Sequence, residues 1–311
     1  MGSADGNSAP TTPVSILTSY AVPSRQTRPS LLQTMRFGPP ECWRRAAFRT
    51  TSLAENFQQI GRHLSPFLTD DECAKAATFL ASGAEACRST PRNKIDQEAE
   101  TPLRLTKEVF LSAILSAQRQ PALNIVEEAL SRGVSPVDIY IDVFAAAMHR
   151  VGELWEANKI TVAQEHMATA ITQYAIASVY PKIVSSAPRR GHMVVTGVAG
   201  ELHQIGANLV ADAMESKGWS VRFLGSNVPH NSVIETVQEI SADVLCISTT
   251  IVANLPSASN LIRSLRSQLG GRAPKIVLGG AAFRFAPNFA QEVGSLTILA
   301  DLRSAVASLC I

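Results

Sequence analysis

Residues 194–218 read VVTGVAGELHQIGANLVADAMESKG. An apolar, β-branched run opens the stretch. An amphipathic helical pattern closes it, with Ile205, Leu209 and Ala213 on one face. Glu201, His203 and Gly206 fall in the short loop between them. A buried strand passing straight into a helix is the start of a βα unit, and such units come in series.

The series continues to the C-terminus. The runs HMVVTGV, VRFLGS, VLCISTT, KIVLGG and LTILA alternate with helix-like segments or turns leading into them. Near-continuous apolar strands predict a parallel sheet covered on both faces. Five βα units over residues 190–311 fit a flavodoxin-like, Rossmann-like doubly wound domain. In such domains ligands sit beyond the carboxyl ends of the strands, where the strand order reverses.

Upstream the grammar is helical. Residues 101–187 carry four stretches with apolar residues at three- and four-residue spacing. The first is LTKEVFLSAILSAQ. Pro121 is expected to open the second and Gly133 to close it. The third starts at Ser135-Pro136, with Asp138 completing a capping pattern. The fourth starts at Thr161, with Gln164 three residues on. Short connections make neighbours antiparallel, hence a four-helix bundle preceding the sheet. Residues 52–100 read as weakly helical followed by a linker, with Thr69 and Glu72 as a capping box and Gly83 as a helix end. Residues 1–51, rich in Ser, Thr, Pro and Arg, read as a disordered tail.

Composition excludes several classes. A formal net charge of +2 over 311 residues makes no global case for nucleic acid. No apolar run approaches the about 20 residues of a membrane span, and the N-terminus has no signal-peptide core, so a cytoplasmic protein is expected. The five cysteines are scattered and form no CxxC, which suggests neither a disulfide framework nor a zinc site.

The loop residues carry the chemistry. A neutral imidazole is a good metal ligand, and a ligating His passes its other N–H to a carboxylate. Glu201 is placed to be that carboxylate. A site built wholly by protein needs three or four ligands, and no second cluster lies nearby. A single His therefore suits a metal carried by its own macrocycle, a corrin or a haem. An isolated loop histidine needs no ligand at all, but two other loops reach the same edge. Ser248 and Thr250 follow the third strand in ISTTI, and Gly279 and Gly280 follow the fourth in VLGGAAF.

ExHxxG after the first strand, SxT after the third and GG after the fourth resemble the cobalamin-binding domain pattern, with Glu where the widespread form has Asp. The resemblance implies that His203 is the lower axial ligand of cobalt and Glu201 its hydrogen-bond partner. It also implies that Gly206, Ser248, Thr250, Gly279 and Gly280 line a slot for the displaced nucleotide tail.

In the bundle, ELWEANKITVAQEHMATA places Trp155 nine residues before Glu165-His166. This is similar to the W-x9-EH signature of the CarH/LitR class of adenosylcobalamin photoreceptors. That resemblance covers about residues 103–290. It implies a cap over the upper face of adenosylcobalamin, or of methylcobalamin, with Trp155, Glu165 and His166 around the upper ligand. It also implies that light breaks the cobalt–carbon bond and so changes oligomeric state and transcription. Two features depart from the class. Glu156 stands where some members have a His, leaving His149 and His166 open as upper ligands. Residues 1–100 show no MerR-type winged helix, so a homo-oligomer or a transcription-factor partner is expected rather than direct DNA binding. The expectation is thus a cobalamin-binding sensor and not an enzyme. The alternative is a corrinoid methyl carrier of a methyltransferase system, which uses the same architecture. A mutase subunit is disfavoured because no substrate barrel is present.

Overall fold

The computed structural model describes residues 57, 59–89, 103–183, 190–286, 288–294, 297–299 and 301–309. The expected tail and most of the expected linker before the bundle lie outside these residues. Among them, no helix is long and apolar enough to cross a membrane.

Helix α1, Asp70–Ser89, starts as its capping pattern predicts. The backbone N–H of Thr69 donates to Glu72 Oε2 at 2.9 Å. It does not stop at Gly83. A Cβ there would lie 3.3 Å from the Phe57 ring, so this glycine admits a close neighbour inside the helix rather than ending it.

The bundle follows. Helices α2, Arg104–Leu115, and α3, Arg119–Ser131, are joined by a tight turn through Ala117. Helix α3 begins two residues before Pro121, which sits in the first turn where no N–H is needed. Gly133 follows its end at φ +85° as expected. The third helix is composite. A turn at Pro136–Asp138 runs into a π-helical turn, Ile139–Ala145, and then into α4, Ala146–Glu156. Ser135 makes no side-chain cap there, so the expected Ser135/Asp138 capping pattern is not formed; Pro136 at the helix start supplies the preset φ instead. Helix α5, Val162–Ile183, does use its box, with the Gln164 N–H donating to Thr161 Oγ1 at 3.2 Å and the Thr161 N–H to Gln164 Oε1 at 2.9 Å. Phe110, Ile114, Tyr140, Phe144 and Ile176 fill the space between the helices.

The sheet domain runs β1 His192–Gly197, α6 Ile205–Ser216, β2 Ser220–Phe223, α7 His230–Glu239, β3 Val244–Ser248, α8 Leu255–Leu269, β4 Lys275–Gly279, α9 Phe289–Glu292, β5 Thr297–Leu299 and α10 Leu302–Ser308. All strand pairs are parallel and the order is β2-β1-β3-β4-β5, the doubly wound arrangement expected. Leu255, Ala258, Leu261, Ile262, Leu265 and Leu269 give α8 a buried stripe at helical spacing against one sheet face. Helices α6 and α10 cover the other face. The connections diverge at the switch between β1 and β3, where the loops after these two strands lie side by side at the carboxyl edge. The bundle packs beside α6, with Leu209 of that helix buried in the bundle core.

Candidate functional site

The β1–α6 loop is held from several sides. The Gly197 N–H donates to the Gly225 carbonyl at 2.8 Å. Gly200, at φ +90°, donates to Asn227 Oδ1 at 2.8 Å. This directs Glu201 inward and the next residues outward. Glu201 is fully buried and its carboxylate is saturated with donors. Oε1 accepts from the backbone N–H of His203 at 3.0 Å and faces His203 Nδ1 at 2.6 Å. Oε2 accepts from the backbone N–H groups of Thr250 and Ile251 at 2.7 and 3.2 Å, and from Asn254 Nδ2 at 3.1 Å. Burial alone would push this carboxyl up, but the hydrogen bonds from His203, Thr250 and Asn254 outweigh it and take it down to about 2. Glu201 is therefore an anion at neutral pH.

His203 is the outward half of the pair, with 56% of its side chain exposed. Its Nδ1 is committed to Glu201, which leaves Nε2 directed away from the carboxylate. The Glu201 hydrogen bond draws the imidazole above its ordinary value, burial opposes this, and the charges of Glu201 and Glu165 add to the rise. Glu165 belongs to the first turn of α5. The bundle's expected residues therefore lie close enough to the sheet edge to be felt there. Glu165 Oε1 accepts from Thr169 Oγ1 at 2.8 Å, and its other oxygen pairs with His166 Nδ1. Trp155, in the last turn of α4, keeps 44% of its surface exposed, which is unusual for a bundle tryptophan.

The other expected loops reach the same edge. Gly197, Ser248 and Gly279 stand in register across β1, β3 and β4, a row with almost no side-chain bulk. Thr250 enters through its backbone bond to Glu201. Gly280 is forced: at φ +106° its Cβ would lie 2.3 Å from the Thr249 carbonyl oxygen. Gly206 has open space where a Cβ would go. His149, on α4, is pulled below its ordinary value by burial and by the nearby Arg284 charge, so it is neutral at pH 7.

Sequence reasoning missed two features. Asn254 locks Glu201 and also donates to the Gly200 carbonyl at 3.2 Å; its separation from the ExHxxG loop hides this. The second is an exposed apolar rim. Leu202, 72% exposed, flanks His203, Ile251 follows Thr250, and Phe285 follows the GG turn. Val162 and Met167 join Trp155 at the bundle's end. Alternation within each loop was a visible signal for the first two. Among the described residues no three His, Cys, Asp or Glu side chains converge as a metal site. One imidazole, one saturated carboxylate and an apolar rim suit a large, flat, largely apolar group bringing its own metal.

The fold and this site define a two-part corrinoid-type binding protein. The comparisons agree: a B12 binding domain model matches residues 191–309, and a second B12 binding domain model matches residues 106–180. The chain is a cobalamin-binding protein, and cobalamin is its cofactor. Dimethylamine corrinoid protein 3 of Methanosarcina acetivorans is 27% identical over 196 residues, covering 63% of this chain and 91% of that protein. The HTH-type transcriptional repressor CarH of Myxococcus xanthus, a weaker match, is 28% identical over 229 residues, covering 73% of this chain and 74% of that one. The structure of the Methanosarcina barkeri monomethylamine corrinoid protein superposes with a TM-score of 0.60 at 20% identity, over 67% of this chain and 98% of that chain, and shares the fold.

These relatives correct one expectation. The expectation that the chain has no part in an enzyme system is overturned by the stronger matches to dimethylamine corrinoid proteins. The reason is architectural. A bundle beside a doubly wound sheet serves a carrier as well as a sensor, so the motifs cannot exclude a part in an enzyme system.

Proposed function

We propose that this chain is the corrinoid methyl-carrier protein of a methyltransferase system. The observation that carries it is the Glu201–His203 pair, with Nδ1 held at 2.6 Å, in a chain whose corrinoid relatives align over 91% of their length. His203 would hold cobalt from below through Nε2. Glu201 fixes the tautomer and stays anionic, which raises the basicity of the ligating nitrogen. Gly206, Ser248, Thr250, Gly279 and Gly280 would admit the nucleotide tail. Leu202, Ile251 and Phe285 would exclude water from the ring edge. Bound cobalamin supplies a cobalt–carbon bond, made and broken with a methyl group in a carrier or broken by light in a sensor. A methyltransferase is the partner on this reading.

A second reading is favoured by one feature. Trp155 is exposed at the end of α4, separated by nine residues from Glu165-His166 in the sequence, and the CarH match is longer than that of the methylamine proteins. On that reading the cap encloses adenosylcobalamin, and light alters oligomeric state and contact with a transcription-factor partner.

One experiment separates them. The full chain is loaded with methylcobalamin or adenosylcobalamin, and spectra and elution are followed in the dark and after green light. Methyl transfer to and from a methyltransferase, with unchanged elution after illumination, supports the carrier. A light-driven change in elution without methyl turnover supports the sensor. A parent with no His-on spectrum, or a His203→Ala variant that keeps it, overturns the cobalt-ligand assignment common to both.

A further inference from the structure

The cap packs on the cobalamin domain through α5 and the bundle core, and also through one irregular element, the π-helical turn Ile139–Ala145. π turns recur where a helix is made to do more than pack. Here two polar side chains of that turn reach two different helices of the sheet domain. The Tyr140 hydroxyl donates to Asp212 Oδ2 of α6 at 2.8 Å, and both residues are buried. Two positions on, the Asp142 carboxylate accepts from one guanidinium nitrogen of Arg303 of α10, at 2.9 and 3.0 Å.

The two anchors differ in solvation. Tyr140 has no exposed surface, and breaking its bond to Asp212 would leave a buried carboxyl without its donor, while the hydroxyl keeps only the 3.3 Å bond to the Ile176 carbonyl. In the second pair Asp142 is buried as well, but the Arg303 side chain is 60% exposed, so water can solvate the guanidinium when the pair opens. An anchor buried on both sides beside one whose cationic half faces water is the arrangement of a pivot and a latch. From this turn α4 runs on to Trp155, a lever of about 20 Å at 1.5 Å per residue. A small tilt at the turn is therefore magnified at the cofactor edge.

We infer that Asp142–Arg303 is a latch that sets how closely the cap stands over the upper face of the cofactor, with Tyr140–Asp212 as its pivot. This rests on the reading of His203 as the lower ligand and the bundle end as the upper cover. Asp142 and Arg303 are positioning residues and touch no reacting atom. Releasing the pair lets the Trp155 end lift while the lower ligation by His203 stays as it was.

The test uses the full chain loaded with hydroxocobalamin. Stopped-flow absorption follows cyanide replacing the upper ligand, a reaction gated by access to that face. Arg303→Ala, a change at a largely exposed side chain, is expected to accelerate exchange about fivefold, the shift of a half-exposed ion pair in an open–closed equilibrium. The His-on spectrum should be unchanged. Asp142→Asn should act alike, and the charge swap Asp142→Arg with Arg303→Asp should return the rate towards the parent's. Exchange within twofold of the parent for Arg303→Ala, or a swap no slower than the singles, overturns the latch. Failure of the parent to show a His-on spectrum would instead remove the underlying site assignment, so the two failures are distinguishable.

Discussion

Two buried carboxylates behave oppositely, and each makes a prediction. Glu201 is held down to about 2 by the donors around it, so it contributes stability that is fully present above its unfolded value of 4.5 and is lost as pH falls towards 2. Its five donors leave no oxygen free to face an NH2 group. Glu201→Gln is expected to cost about 2–3 kcal/mol in stability and to weaken cobalamin binding by about 10–100-fold, read by thermal melts and by absorption titration. Asp212 runs the other way. Burial pushes it up to about 6, the Tyr140 hydrogen bond opposes this, and the Glu215 charge adds to the rise. Its contribution is fully present below 3.8 and is lost as pH rises through about 6. Asp212→Asn removes that titration. The stability of the variant relative to the parent should therefore improve by up to about 3 kcal/mol between pH 4 and pH 7. A difference that stays flat across this window would refute the assignment.

At the scale of elements, the loops at the sheet edge contain two kinds of glycine. Gly280 is structural: its positive φ and the Thr249 backbone beside it leave no room for a methyl group. Gly280→Ala is expected to destabilise the unliganded protein by about 3 kcal/mol or more. Gly206 has nothing within 4 Å of an added Cβ and lies in the first turn of α6. Gly206→Ala should leave the melting temperature equal or slightly higher, since Ala favours helix. On the proposed site, in which this space admits the nucleotide tail, it should nevertheless weaken cobalamin binding about tenfold. Both effects are read on purified variants with and without cofactor. The contrast also marks what sequence could reveal. The strand-to-helix alternation made the sheet and the positions of Glu201, His203, Ser248 and Gly279 legible, because each signal is local. The lock by Asn254, the role of Gly83 as a packing site, the unformed cap at Ser135 and the π turn were not legible. Each of these depends on a partner remote in the chain or on backbone register, which no periodicity encodes.

At the scale of the whole molecule, bundle and sheet domain form one packed unit rather than two tethered ones. Leu209, on α6 of the sheet domain, is almost fully buried in the bundle core, and Ile205 and Leu302 pack against the same cluster. The Tyr140–Asp212 and Asp142–Arg303 bonds cross the same junction, and Tyr180 of α5 donates to Glu215 of α6 at 2.7 Å. Unfolding either part alone would expose this apolar surface and strand the buried hydroxyl and carboxyl, so neither transition should be populated by itself. Bundle and sheet are expected to melt together, with far-ultraviolet circular dichroism and tryptophan fluorescence giving coincident transitions for Trp155 in the bundle and Trp219 in the sheet domain. Leu209→Ala removes side-chain volume at the junction and should cost about 3 kcal/mol, within the usual range for a buried leucine. The two probes then discriminate the possibilities. If the parts are one unit, Leu209→Ala lowers both transitions equally. If they are separately stable, the probes part company and the bundle melts apart from the sheet. In the variant, upper-ligand exchange should quicken as for Arg303→Ala, because on the latch proposal a loosened junction and an open latch free the same lever.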